Sequence, residues 1–512
     1  MQTLQRKLLL PALLVITTSL WSQDIASFEK RIQVRKLPNG LTVLLMQRKE
    51  APVFSFYTFV DAGSAQDPKT KTGLAHMFEH MAFKGTDTIG TTNYAKEKPI
   101  LAEIERVYTA YIAERDKRVG QDPQKLQQLE KHWKDLIDQA DHFVVRNQFG
   151  QVIEENGGVG MNASTSEDET VYYYSMPANR LEMWAYLESE RFLQPVMREF
   201  YKERDVVYEE RRMRVESNPI GRLLEQFQSA AFNAHPYGIP GIGWPYDLHT
   251  FSATDAMNFF NKYYVPSNMT VAVVGDFEFA PTWPLIEKYF GRLPKREKPD
   301  EQLTTEPPQG SEREVVLTEQ SQPVYIEGYH RPDYLDKDDL VYDAISDVVS
   351  NGRTSRLYRS LVRDKRIALQ AGGFSGLPGS KYPHLFSFYA IPTPGHTPAE
   401  MRDALRAEID RLKKEDVTDD ELQMVKTRAK ANLIRGLGSN SGLAGQLATY
   451  QARFGDWREL FHQVEKIDKV TKADIRRVAN ATFVENNRTV GIIESTQMAG
   501  RKPQGAPAQQ NQ

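Results

Sequence analysis

Residues 264–274 read YVPSNMTVAVV, and the pattern returns at 483–493 as FVENNRTVGII. Val, Asn, Thr and Val recur in register. Each stretch also follows a helix-start signal at the same offset, Ser252-x-x-Asp255 in one case and Thr471-x-x-Asp474 in the other. Each unit is therefore an N-capped helix, a loop and a buried strand. Repetition of such a unit points to an internal duplication. The expected fold is α+β: two homologous α/β-sandwich halves, each a mixed, mainly antiparallel sheet with helices on one face, together enclosing a chamber. The first half spans about 27–277 and the second about 311–498. The connection between them, 278–310, is rich in Pro, Lys and Glu from Leu293 to Gly310. The tail 499–512, rich in Gly, Pro and Gln, is expected to be disordered.

A chain of 512 residues is too long for a single core, which agrees with two halves. The first half opens with a hairpin, Ile32–Leu37 and Leu41–Leu45 around Asn39-Gly40, followed by a strand from Val53 to Val60. Residues 94–141 are rich in Glu, Lys, Gln, Leu and Tyr. They read as a helical hairpin broken near Gly120–Pro123, inserted into the first half. Strands return near Met161–Thr165 and Val171–Met176, and a long charged helix covers about 198–216.

Composition excludes several chemistries. With no cysteine, the chain has no disulfide, no thiolate ligand and no cysteine nucleophile, so any metal is held by His, Asp or Glu. A net charge of −3 argues against nucleic acid as a partner. Arg6 and Lys7 precede an apolar run from Leu8 to Leu20, which has the length of a signal-peptide core. Residues 1–22 are read as a signal peptide. The mature protein is expected to be periplasmic or secreted, with no stable membrane anchor after cleavage.

The chemistry concentrates at residues 73–85, GLAHMFEHMAFKG. On a helix, His76 and His80 stack one turn apart. At about 100° per residue, His76, Glu79 and His80 share an arc of about 100°, with Leu74, Phe78 and Met81 opposite. One face carries ligands and the other anchors in a core. Two imidazoles and a carboxylate suit zinc, with one position left for water. The metal would bring that water's pKa to about 7, and Glu79 would take its proton as general base. His-x-x-Glu-His is the inverzincin signature. Spacing leaves the third ligand open among Glu154, Glu155, Glu167, Asp168, Glu169, Glu203, Glu209 and Glu210. Glu203 and Glu210 lie two turns apart on one helix face.

With these motifs the sequence resembles the pitrilysin/insulinase family, and most closely its short bacterial members related to mitochondrial processing peptidase. The resemblance rests on Gly73–Gly85, Asn162–Tyr174, Glu203–Glu210 and the duplicated halves. It implies a zinc endopeptidase with one zinc per chain, acting on peptides or unfolded segments. It implies that Glu210 is the third ligand and Glu203 a supporting carboxylate. It also implies that Asn162, Ala163, Ser164 and Thr165 bind substrate as an added strand. The second half departs from the family pattern. Val362 and Leu369 stand where active members carry an Arg and a Tyr, and Arg363 is a weak substitute. A homo- or heterodimer with a related peptidase-like subunit is therefore expected. The alternative function is a non-catalytic subunit that binds peptides or stabilises a complex.

Overall fold

The computed structural model describes residues 27–301 and 303–496. The expected signal peptide and the expected disordered tail lie outside them. Among the described residues no helix is long and apolar enough to cross a membrane.

Two sheets organise the chain. The first has six strands in the order β1 (Ile32–Lys36), β2 (Thr42–Gln47), β6 (Met269–Gly275), β3 (Val53–Val60), β5 (Thr170–Pro177) and β4 (Val159–Thr165). The second has five, in the order β7 (Arg313–Glu319), β11 (Arg488–Ser495), β8 (Val324–Arg331), β10 (His384–Pro392) and β9 (Ala368–Leu377). Apart from the extra edge strand β1, the two orders match in pairing and in direction. β2 runs parallel to β6 as β7 does to β11, and every remaining pair is antiparallel. The repeated sequence units supply β6 and β11, which hold the same place in each order. Both units start with a closed capping box, at Ser252/Asp255 and at Thr471/Asp474.

The halves do not stand as separate sandwiches. Each covers one face of its own sheet, and each also sends a helix to the back of the other sheet. Pro219–Ala231 leaves the first half and packs on β7 and β11, placing Leu223 and Phe227 against Ile326 and Ile493. Asn440–Phe454 leaves the second half and packs on β3 and β6, where Leu443, Ala444 and Leu447 meet Leu44, Phe59 and Ala272. Strands buried on both faces read as continuous apolar runs, as β6 does. This exchange ties the halves into one unit.

Residues 94–141 form an antiparallel pair of helices, Tyr94–Arg115 and Pro123–Asp141. The connecting segment needs a correction. Within 278–310, Phe279–Phe290 is a helix that buries Trp283, Ile286 and Phe290 in the first core. Pro281 and Pro284 hid that apolar stripe in the sequence. Pro281 stands in the first turn, where no helix hydrogen bond is lost, and Pro284 stands inside the helix at the loss of one. The charged stretch expected as one helix over 198–216 runs as an α-helix from Phe200 to Arg211 and finishes as a π-turn through Glu216.

Candidate metal centre

The helix Leu74–Met81 carries both histidines. Its start is fixed by a close approach of two chain segments. Gly73 has φ 95°, and a Cβ there would lie 2.7 Å from the Ile242 carbonyl oxygen. Across the contact, Gly243 has φ 88° and equally little room, so both positions require glycine. Asp67 accepts from the amides of Gly73 at 2.6 Å and Ala75 at 2.9 Å, which satisfies donors that the first turn leaves free. Leu74, Met77, Phe78 and Met81 are buried in the first core, with Phe78 stacked on Phe260. The ligand-bearing face is held by this packing.

The helix Phe200–Arg211 lies against it and brings up the carboxylates. His76 Nε2 is 3.2 Å and His80 Nε2 3.6 Å from Glu210 Oε2. His76, His80 and Glu210 each offer one ligand atom within 4.8 Å of the others. Tetrahedral zinc with bonds of about 2.0–2.1 Å separates its ligand atoms by roughly 3.3 Å, so this donor set fits zinc. The remaining oxygen of Glu210 pairs with Arg214 Nη2 at 2.6 Å.

Glu203 does not join that group. Its Oε1 lies 2.8 Å from His80 Nδ1, and its Oε2 lies 2.6 Å from Lys84 Nζ. Burial works to raise the Glu203 carboxyl, but His80 and Lys84 outweigh it and hold the group at about 2. It is a permanent anion behind His80. Glu209 points elsewhere and pairs with Arg212. The acids Glu154 and Glu155 stand exposed at the end of the helix Gln148–Glu155. Asp168 and Glu169 engage the second half, through the amides of Ser380 and Lys381 and through Arg453.

Glu79 faces the donor set from the same helix. Its Oε2 is buried without a hydrogen-bond partner, with His76 Nδ1 3.6 Å away. Burial favours the neutral acid, yet His76 and Thr165 hold the carboxyl below its usual range, so it is ionised at neutral pH. An ionised carboxylate with a free oxygen beside three ligands is placed to take a proton.

Asn162, Ala163, Ser164 and Thr165 lie on β4, the free edge of the first sheet, directly after an irregularity between Val159 and Asn162. The helix Leu74–Met81 packs on this strand. A cleft of about 660 Å³ opens beside Glu79 and His80, between Met161–Ala163, the turn 144–149 that ends the insertion, and Glu203 with Val206. Sequence reasoning missed Lys84, Arg214 and Asp67. Arg214 follows Glu210 by four residues in one helical run, a spacing that was a usable signal. Lys84 lies past the end of the metal helix at Met81, so helical spacing does not place it.

Residues 42–116 and 143–243 match the profile of the insulinase family, peptidase family M16, and residues 250–429 match that of the M16 peptidase inactive domain. The chain belongs to this family. It is 27% identical to the zinc protease PqqE of Helicobacter pylori over 96% of this chain and 99% of that one. An uncharacterised zinc protease of Mycobacterium leprae is 23% identical over 87% of each chain. Among solved structures, a protease from Helicobacter pylori superposes with a TM-score of 0.74 at 27% identity, covering 90% of this chain and 99% of that one. The M16 inactive domain from Pseudomonas fluorescens shares the fold at a TM-score of 0.71 and 15% identity, covering 91% and 98%.

Proposed function

We propose that the chain is an exported zinc endopeptidase acting on peptides or unfolded protein segments. The observation that carries this reading is the Glu79 carboxylate, its buried Oε2 3.6 Å from His76 Nδ1 and free of hydrogen bonds, beside the His76, His80 and Glu210 donors. A buried carboxylate set beside three ligand-bearing side chains is placed to take a proton, a role that a non-catalytic binding subunit does not need. His76, His80 and Glu210 would hold zinc, which would supply Lewis acidity and lower the pKa of water to about 7. Glu79 takes the proton and later delivers it to the leaving amine. Glu203 keeps His80 oriented. The open edge of β4 binds substrate backbone as an added strand, which accommodates many sequences.

The test is hydrolysis of a quenched peptide library by zinc-loaded protein, with and without a chelator. Zinc-dependent cleavage abolished in Glu79→Gln supports the reading. A zinc-loaded protein that binds the peptides but cleaves none of them refutes it in favour of the binding subunit. Export rests on the sequence of residues 1–22 and is checked by the N-terminal sequence of the mature protein from its source.

A further inference from the structure

The second half carries a cleft of its own in the place that corresponds to the metal centre. The helix Asp339–Ser350 follows β8 as Leu74–Met81 follows β3. It packs on the edge strand β9 as the metal helix packs on the edge strand β4. It lies against the helix Asp419–Gly436 as the metal helix lies against Phe200–Arg211, and against Lys472–Thr482 as the metal helix lies against Ala253–Tyr263. Beside it opens a cleft of about 710 Å³. That volume is within the roughly 300–1,000 Å³ range of small-ligand pockets.

Three carboxylates stand on one face of this helix at i, i+4 and i+8, and two of them are committed. Asp339 pairs with Arg331 at 2.5 Å, and Arg331 is itself buried. Asp347 pairs with Arg428 at 3.0 Å. The cation nearest in chain order to the cleft's aromatic end, Arg453, is held by Glu169 of the first half at 2.8 Å. Asp343, between the two paired acids, has neither a hydrogen bond nor an ion pair among the described residues and is exposed to the cleft. The cleft is also lined by Tyr334, Phe374, Tyr450 and Phe454, and by Gln446, whose Oε1 is buried without a partner. Arg453 already lies over the Tyr334 ring, so the acceptors left for an ammonium or guanidinium group are the free carboxylate and the unfilled amide oxygen, with the rings of Phe374 and Tyr450 along the wall.

We propose that this cleft binds a basic side chain of a peptide, with Asp343 as the counter-ion. The duplicated half that lacks the metal motif would then read substrate charge at a distance from the bond to be cut. This inference rests on the peptide reading of the active site. Its test uses binding, so that it fails separately from any failure of hydrolysis.

The experiment uses full-length Glu79→Gln protein loaded with zinc, titrated calorimetrically with two peptides that differ only in one lysine replaced by norleucine. The lysine peptide is expected to bind at least about tenfold more tightly. Asp343→Asn, which keeps shape and removes charge, should abolish that preference and leave the norleucine affinity unchanged. Free lysine amide is titrated in parallel. Its binding with an affinity equal to the peptide's would show a small-amine site and overturn the peptide assignment. Equal affinities for the two peptides with Asp343 intact would overturn the proposal without the use of any variant, and so would a lysine preference that survives Asp343→Asn.

Discussion

Glu203 Oε1 lies 2.8 Å from Nδ1 of His80, while the Nε2 of the same ring lies 3.6 Å from Glu210. With Glu203 ionised, Nδ1 is the nitrogen that donates, and Nε2 keeps its lone pair for the metal. Lys84 holds the other Glu203 oxygen and fixes the carboxylate in turn. Glu203→Gln is therefore expected to weaken zinc binding by about 10–100-fold, the range typical of partners that orient a ligand. Glu210→Gln should weaken it more, because it removes a coordinating charge. Competition against a fluorescent zinc chelator checks the order. Equal affinities for wild type and Glu210→Gln would remove Glu210 from the ligand set.

Glu79→Gln should retain zinc and the wild-type melting temperature while losing at least about 10²-fold in turnover, since only the base is removed. Elemental analysis and a peptidase assay on the same preparation decide the matter. A variant cleaving at near the wild-type rate would show that another group takes the proton.

Arg198 ties the insertion to the site. Its guanidinium pairs with Glu97 at 2.7 and 2.9 Å and donates to the carbonyls of Lys84, Thr86 and Ile89, with both charged side chains buried. Breaking one partner of a buried pair costs about 3–5 kcal/mol. Glu97→Gln is expected to lower stability by that order in denaturant unfolding. It should also expose the 116–122 turn to limited proteolysis before the rest of the chain unfolds. Unchanged stability and an intact turn would mean that helix packing alone holds the insertion.

Acid should loosen the junction between the halves. Burial pushes His235 and His384 down to about 4 from an ordinary 6.5. His235 lies between Tyr237 of the first half and Tyr382 of the second. Between about pH 6.5 and 4 the unfolded chain binds more protons at these sites, so stability falls as pH drops through that window. The melting temperature of wild type should decline from pH 7 to 4.5, and more gently in His235→Gln. Parallel curves for the two proteins would exclude His235 as a contributor.

The metal helix was legible in the sequence because its chemistry and its anchoring are local. His76, Glu79 and His80 share one helical face, and Leu74, Phe78 and Met81 fill the other. Glu210 is remote in sequence, and only its helical relation to Glu203 and the family resemblance singled it out. The exchange of helices was not legible. Pro219–Ala231 and Asn440–Phe454 each carry an apolar stripe, and a stripe does not say which sheet it will cover. Nothing in the sequence singled out Asp343; only the fold sets it apart, by placing its neighbours Asp339 and Asp347 in ion pairs. The helix Phe279–Phe290 was obscured by two prolines, one in its first turn and one, Pro284, inside it.

Each half packs a helix onto the sheet of the other, so moving one half to close over a peptide at β4 would break both contacts. Around the metal centre Val159, Val206 and Met213 stand 65%, 52% and 65% exposed. In the second half, Val362 packs against the core and Leu369 is exposed at the edge strand β9, while Arg363 is bound to Asp364 at 2.6 Å. None of the three supplies a free polar clamp. We therefore expect a second peptidase-like chain, the same or related, to cover the cleft and supply the missing contacts. Light scattering on the purified protein should give the mass of a dimer, or of a monomer whose weak peptidase rate rises when the product of a neighbouring reading frame is added. Val206→Glu and Met213→Glu together should shift a dimer toward monomer and lower the peptidase rate with zinc content unchanged. A monomer fully active alone, indifferent both to added partner and to these substitutions, would show that one chain is the complete enzyme.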